Sequence, residues 1–121
     1  DTVGYTTPQE YFEIVSMSGL SVQEQARLFS EASAVVGPNG SAFANLVYAN
    51  PACRSVEFFA PGWVVSYNWM LSELAGVEYT ALIGDGFRPP EGTLPSETKQ
   101  DILLPPEKLR LALEQLFPAG P

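Results

Sequence analysis

Short apolar runs alternate with helically patterned stretches along this chain, and that alternation constrains the fold more than any other feature. Phe12-Glu13-Ile14-Val15, Ala34-Val35-Val36-Gly37, Ser55-Val56-Glu57-Phe58-Phe59 and the run from Val77 to Ile83 have the length and the β-branched or aromatic content of strands. Between them lie segments of helical character. Ser21-Val22-Gln23-Glu24 fits a capping box, with Ser21 as N-cap and Glu24 three residues on, and the helix it opens sets Val22, Gln25/Ala26, Phe29 and Ala32 on one face. Ala42 to Tyr48 is apolar on most sides, as for a helix between two layers, and Asn50-Pro51 stops it. Ser66 opens a helix carrying Trp69, Met70, Leu71 and Leu74, which Gly76 closes.

Residues 87–100 read as a Pro-rich loop. Ile102-Leu103-Leu104 reads as a short last strand, and Pro106 starts a final helix with Leu109, Ala112, Leu113 and Leu116 in one stripe. Strands that alternate with helices pair in parallel through right-handed crossovers. The expected fold is α/β: an open, doubly wound parallel sheet with helices on both faces, in a single domain spanning residues 1–121. Ligands of such sheets bind at the carboxyl ends of the strands.

Composition removes several chemistries. Six Lys+Arg against 14 Asp+Glu give a net charge of -8, which excludes a fold-wide basic surface for nucleic acid. There is no histidine, so Ser-His-Asp and Cys-His catalysis and His-based zinc sites are excluded. One cysteine, Cys53, forms neither an internal disulfide nor a Cys-x-x-Cys site. No apolar stretch approaches the roughly 20 residues that a membrane helix needs, and with no basic region followed by an apolar run at its start, no signal peptide is expected. The start at Asp1, without methionine, suggests a piece of a longer protein.

The sharpest local motif is Gly37-Pro38-Asn39-Gly40-Ser41, between a buried strand and a helix start. Two readings stand. In one, loop amides and the helix dipole receive an anion such as a phosphate, with the glycines allowing close approach and Ser41 donating to an oxygen. In the other, the loop is a tight connection in which Gly40 supplies a positive φ. It is neither a Walker A nor a Gly-x-Gly-x-x-Gly loop. Asn45, one turn beyond Ser41, either meets a ligand or caps the neighbouring loop. Glu57, inside an apolar strand, either accepts from ribose hydroxyls or pairs with Arg54, Arg27 or water. Asp85, between two glycines, reads as a turn. Trp63, Tyr67 and Trp69 are core aromatics or a stacking surface for a sugar or base.

The segment from Leu20-Ser21-Val22-Gln23-Glu24-Gln25 through Phe29, Ala32, Val36-Gly37-Pro38-Asn39-Gly40, Asn45-Leu46 and Pro51 to Val56-Glu57 resembles the carboxyl-terminal half of glycosyltransferase family 61, which includes capsular-polysaccharide-type transferases. The resemblance spans roughly Phe12 to Ile83. It implies one Rossmann-like, donor-binding half of a two-domain GT-B enzyme that inverts the anomeric centre without a metal. Gly37, Pro38, Asn39, Gly40, Ser41, Asn45, Glu57 and Tyr67 would then contact a nucleotide sugar, for instance a UDP-sugar. No cofactor is implied.

The same resemblance implies a glycan or polysaccharide acceptor, a partner N-terminal domain, and an inactive isolated fragment. It places the protein in the bacterial cytoplasm, at the inner face of the membrane, or in the secretory lumen of a eukaryote. Two departures stand out. Asn39 replaces the family's histidine, and Ser41, Ala42 and Phe43 stand where Ala, Gly and Leu are usual. The alternative is a non-catalytic interaction domain on the same scaffold. The apolar face of an orphan half also leads us to expect a homodimer.

Overall fold

The computed structural model describes residues 12–94 and 100–118. Three parallel strands form its centre: β1 (Ala34–Pro38), β2 (Arg54–Phe59) and β3 (Glu78–Ile83), in the order β1-β2-β3. Gly37 is in register with Glu57, and Glu57 with Ala81. Helices α1 (Val22–Glu31) and α2 (Tyr67–Ala75) and a 3₁₀ helix (Ser41–Tyr48) cover one face, while α3 (Pro106–Leu116) covers the other. The protein is therefore α/β with a parallel sheet between helices, compatible with a Rossmann-like arrangement.

Alternation along the strands builds two cores. Val35 and Val77 pack with Phe29, Phe43, Leu46 and Cys53 under the first helical layer. Val36, Val56 and Phe58 pack with Leu109 and Leu113 of α3 on the opposite face. Five of the six residues of β2, Ser55 to Phe59, are buried, as befits a central parallel strand, and only Arg54 at its start reaches the surface. The stripe expected on α3 is the one that packs.

Local signals act as the sequence indicates. Ser21 Oγ accepts from the Glu24 N–H at 3.1 Å, and Glu24 Oε1 accepts from the Ser21 N–H at 3.0 Å, so the capping box closes both ways. Those bonds also hold the Glu24 carboxyl below its ordinary range. Gly76 stops α2 in the left-handed region at φ 73°.

Other expectations change. Among the described residues Phe12–Val15 forms no strand, only a bridge position at Val15, and Phe12 instead packs edge-on against Phe117. Ile102–Leu104 contributes a single antiparallel bridge, Leu103 with Asp85. Both segments serve the hydrophobic layer under α3 rather than the sheet. The Ala42–Tyr48 segment winds as 3₁₀ rather than α. Val22 is exposed and leaves the packing of α1 to Phe29. In α2 the inward side carries Leu71, Ser72 and Ala75, while Trp69, Met70 and Leu74 face outward.

Gln100 pins the Pro-rich loop at its far end: its Oε1 accepts from the Gly62 N–H and its Nε2 donates to Phe87 O, both at 2.7 Å. Residues 95–99 of that loop, and the tail from residue 119, lie outside the described residues.

The carboxyl end of β3 tolerates no side chain. A Cβ at Gly84 would lie 2.9 Å from Leu103 O and 3.1 Å from Phe59 O, both backbone atoms. Gly84→Ala therefore lowers stability, by about 1–3 kcal/mol for overpacking of this kind. Gly40→Ala, whose new Cβ would meet only Pro38 O at 3.7 Å, leaves the urea midpoint unchanged. Paired urea melts of the two variants check the contrast.

Candidate functional site

The loop between β1 and the 3₁₀ helix is built around a buried carboxylate on the neighbouring strand. Glu57 is fully buried, on the face of β2 that looks toward α2. Its in-register neighbours, Gly37 and Ala81, are small. The room they leave admits three polar side chains from three separate elements. Asn39 Nδ2 donates to Glu57 Oε2 at 3.0 Å, Asn68 Nδ2 donates to the same oxygen at 2.8 Å, and the Tyr79 hydroxyl donates to Oε1 at 2.6 Å.

Among the described residues no cation pairs with Glu57. Arg54 lies over Phe117, donates to Leu116 O and pairs with Glu78 at 3.3 Å. Arg27 pairs with Glu31, and Arg110 with Glu107 and Glu114. Neither Arg54 nor Arg27 pairs with Glu57, which was one of the two sequence readings of that residue. A buried carboxylate without a counter-ion depends on its hydrogen-bond donors, each worth about 1.5–3 kcal/mol when the acceptor is charged. Burial, the bond to Glu57 and the negative charge of Glu57 together push the Tyr79 phenol well above its ordinary range.

Asn39 is held at two points on β2. Besides its side-chain bond to Glu57, its backbone N–H donates to Phe58 O at 2.8 Å. That amide is consequently not available to a ligand. Beyond it the backbone turns outward. Gly40 is exposed and extended, at φ 177° and ψ 171°, so the positive φ considered from sequence is not what it supplies. The first N–H groups of a helix, here those of Ser41 and Ala42, have no partner within the helix, and no side chain caps this one. A concavity of about 360 Å³ lies beside them, lined by Pro38, Gly40, Ser41, Ala42 and Phe43 together with Met17, Ser18 and Gln25 of the α1 side. Among the described residues no Lys or Arg lines it.

Asn45 lies beneath this loop, almost buried. Its Nδ2 donates to Gln25 Oε1 at 2.9 Å and to Ala42 O at 3.0 Å, which ties the 3₁₀ helix to α1. These bonds join two helices rather than capping the loop itself. Tyr67 does not join the loop. It is 71% exposed and lines a second concavity of about 540 Å³, with Phe59, Val64, Trp69, Tyr79 and Ala81 among its walls. Trp63 and Trp69 are also exposed, so the aromatic cluster is surface rather than core. Asp85 is fixed at a strand end, its N–H donating to Leu103 O at 2.7 Å and its carboxylate 3.8 Å from Lys108.

The eight residues singled out from sequence therefore fall into three places. Pro38, Gly40 and Ser41 border the first concavity. Gly37, Asn39, Asn45 and Glu57 stand behind it, and Tyr67 borders the second. Asn68 and Tyr79 were missed. Asn68 carried the same signal as Asn45, an amide in an apolar helix, whereas nothing local marks Tyr79. Among the described residues no group of three or more His, Cys, Asp or Glu converges on a point, and no helix is long and apolar enough to cross a membrane.

Fold and site define an α/β domain whose loop after the first parallel strand opens on a polar concavity at the carboxyl edge of the sheet. The family model described as Glycosyltransferase 61 matches residues 3–56, and this match supports assignment to glycosyltransferase family 61. The matched stretch contains α1, β1, the loop and the 3₁₀ helix, and it ends one residue before Glu57. No curated protein and no solved structure matches the chain.

The thiol of Cys53, 1% exposed, is raised by burial to about 11. At pH 8 a thiol reagent should label native Cys53 at least tenfold more slowly than the urea-unfolded chain. Equal rates would mean that the core beside β1 and β2 is open.

Proposed function

We propose that this chain is the nucleotide-sugar-binding half of a family 61 glycosyltransferase that builds a polysaccharide or other glycan. The observation that carries the reading is the position of the Pro38–Phe43 loop. It lies inside the family match and forms one wall of a ligand-sized concavity at the carboxyl edge of a parallel sheet.

In this reading the Ser41 and Ala42 amides and the Ser41 hydroxyl receive the diphosphate, aided by the partial positive charge of a helix start. Gly40, lacking a side chain, leaves room for it. The same amides stabilise the nucleoside diphosphate as it departs, when its negative charge grows. Transfer is inverting and uses no metal. Glu57, enclosed by three protein donors, does not contact ribose; it and Asn39 hold the loop. Tyr67 lines a separate aromatic surface for the sugar, the base or the companion domain of a GT-B enzyme.

Because no Lys or Arg lines the concavity, amides alone bind a diphosphate weakly, and the cations that complete the site belong to the other half of the enzyme. Isothermal titration should therefore give a UDP affinity at least tenfold weaker for this chain than for the full-length parent. Gly40→Asp should abolish binding in both without changing the melting temperature, since the residue sits in open, extended backbone. Absence of heat with UDP and UDP-sugars in the parent would refute the reading.

A second reading is favoured by Asn39. Its amide is spent on Glu57 and carries no charge toward a ligand, which suits a non-catalytic interaction domain on the same scaffold. A parent that binds a protein partner but never transfers or hydrolyses a sugar nucleotide would support it.

A further inference from the structure

We infer that Tyr79 and Asn68 are positioning residues for the loop after β1, acting through the Glu57 carboxylate and Asn39. The inference deepens the donor-binding reading and rests on it for its functional consequence, while its structural core stands on the hydrogen-bond geometry alone.

Each oxygen of Glu57 has a defined task. Oε1 accepts from Tyr79, and Oε2 accepts from both Asn39 and Asn68. A carboxylate turns about the bond that joins it to its stem, and besides Asn39 the two anchors from β3 and α2 hold that rotation. Tyr79 approaches one oxygen from the edge strand, and Asn68 approaches the other from the start of α2. With both in place Oε2 lies 3.0 Å from Asn39 Nδ2. If either anchor is lost, the carboxylate is free to rotate or tilt toward the remaining one.

The position of the Asn39 side chain then changes, while its backbone bond to Phe58 O keeps the strand end in place. The motion is passed to the next residues, Gly40 and Ser41, which border the concavity. Among the described residues no cation pairs with Glu57 to take over from a missing donor. The residues in register with Glu57, Gly37 and Ala81, are small and place no large side chain directly beside it. Tyr79 and Asn68 themselves lie outside the lining of that concavity, so they influence a ligand there only through the loop.

The test separates positioning from bulk stability. Tyr79→Phe and Asn68→Ala each remove one anchor. Ser55→Ala is the control: it removes a bond between β2 and β3, Ser55 Oγ to Glu78 O at 3.2 Å, that does not touch Glu57. Backbone amide NMR shifts of Gly40 and Ser41 are read without ligand, urea midpoints are measured for all variants, and inorganic pyrophosphate is titrated.

The expected result is that both anchor variants displace the Gly40 and Ser41 signals and weaken pyrophosphate at least fivefold. Ser55→Ala should lower the urea midpoint and do neither. Because the anchors act through Asn39, Asn39→Ala combined with Asn68→Ala should weaken pyrophosphate no further than Asn39→Ala alone. Loop signals unmoved in Tyr79→Phe and Asn68→Ala would overturn the inference, as would additive losses in the double variant. If one anchor variant does not fold, the other decides by the same criteria. Loop signals that move in a protein whose wild type takes no pyrophosphate would uphold the positioning and refute the donor-binding reading.

Discussion

A buried carboxylate that forms no ion pair among the described residues organises the interior of this domain. Glu57 sits on the central strand with no solvent contact, and three neutral donors solvate it in place of water. The arrangement constrains more than one residue. It requires small neighbours on the adjoining strands, an amide at the start of α2, a hydroxyl on β3 and an amide on the loop after β1. A purely apolar centre would hold the sheet together at least as well. What the carboxylate adds is direction, because hydrogen bonds fix orientation where apolar contacts do not. The loop after β1 is thus referenced to two other elements rather than left to its own flexibility.

That organisation explains how the loop is both firm and open. Its first half is tied to β2 through the Asn39 backbone and side chain. Its second half, from Gly40, turns away from the sheet into an exposed, extended conformation with uncapped amides ahead of a short helix. The Asn45–Gln25 bond closes the far side and joins the 3₁₀ helix to α1. The concavity is bounded by segments each anchored somewhere else. This is the preorganisation that the proposed diphosphate site calls for, and the family match covers the same stretch.

Sequence patterns revealed what is local and missed what is distant. The capping box of α1, the glycine stop of α2, the three strands and the inward stripe of α3 are each written in a few consecutive residues, and each appears in the structure. The segments at Phe12–Val15 and Ile102–Leu104 have strand-like composition, yet their side chains complete the layer under α3. Periodicity cannot tell an extended segment that packs on a sheet from one that joins it. The outward turn of Trp69, Met70 and Leu74 was equally hidden, because a helix with apolar residues on most sides does not announce which side is covered. Glu57 was conspicuous as a charge in an apolar strand. Its partners lie 11, 18 and 22 positions away, and only the folded chain identifies them.

The extended backbone at residue 40 has a consequence for how this family segment diverges. Most glycines in turns are retained because the chain cannot fold with anything else there. Here the main chain makes no such demand, so the folding filter is silent at this position. In the proposed site, the need for a minimal side chain comes from the diphosphate in the space outside. If the proposed ligand binds there, drift to larger residues at 40 among natural variants would track loss of that ligand rather than loss of the fold, and the two histories become separable at one codon.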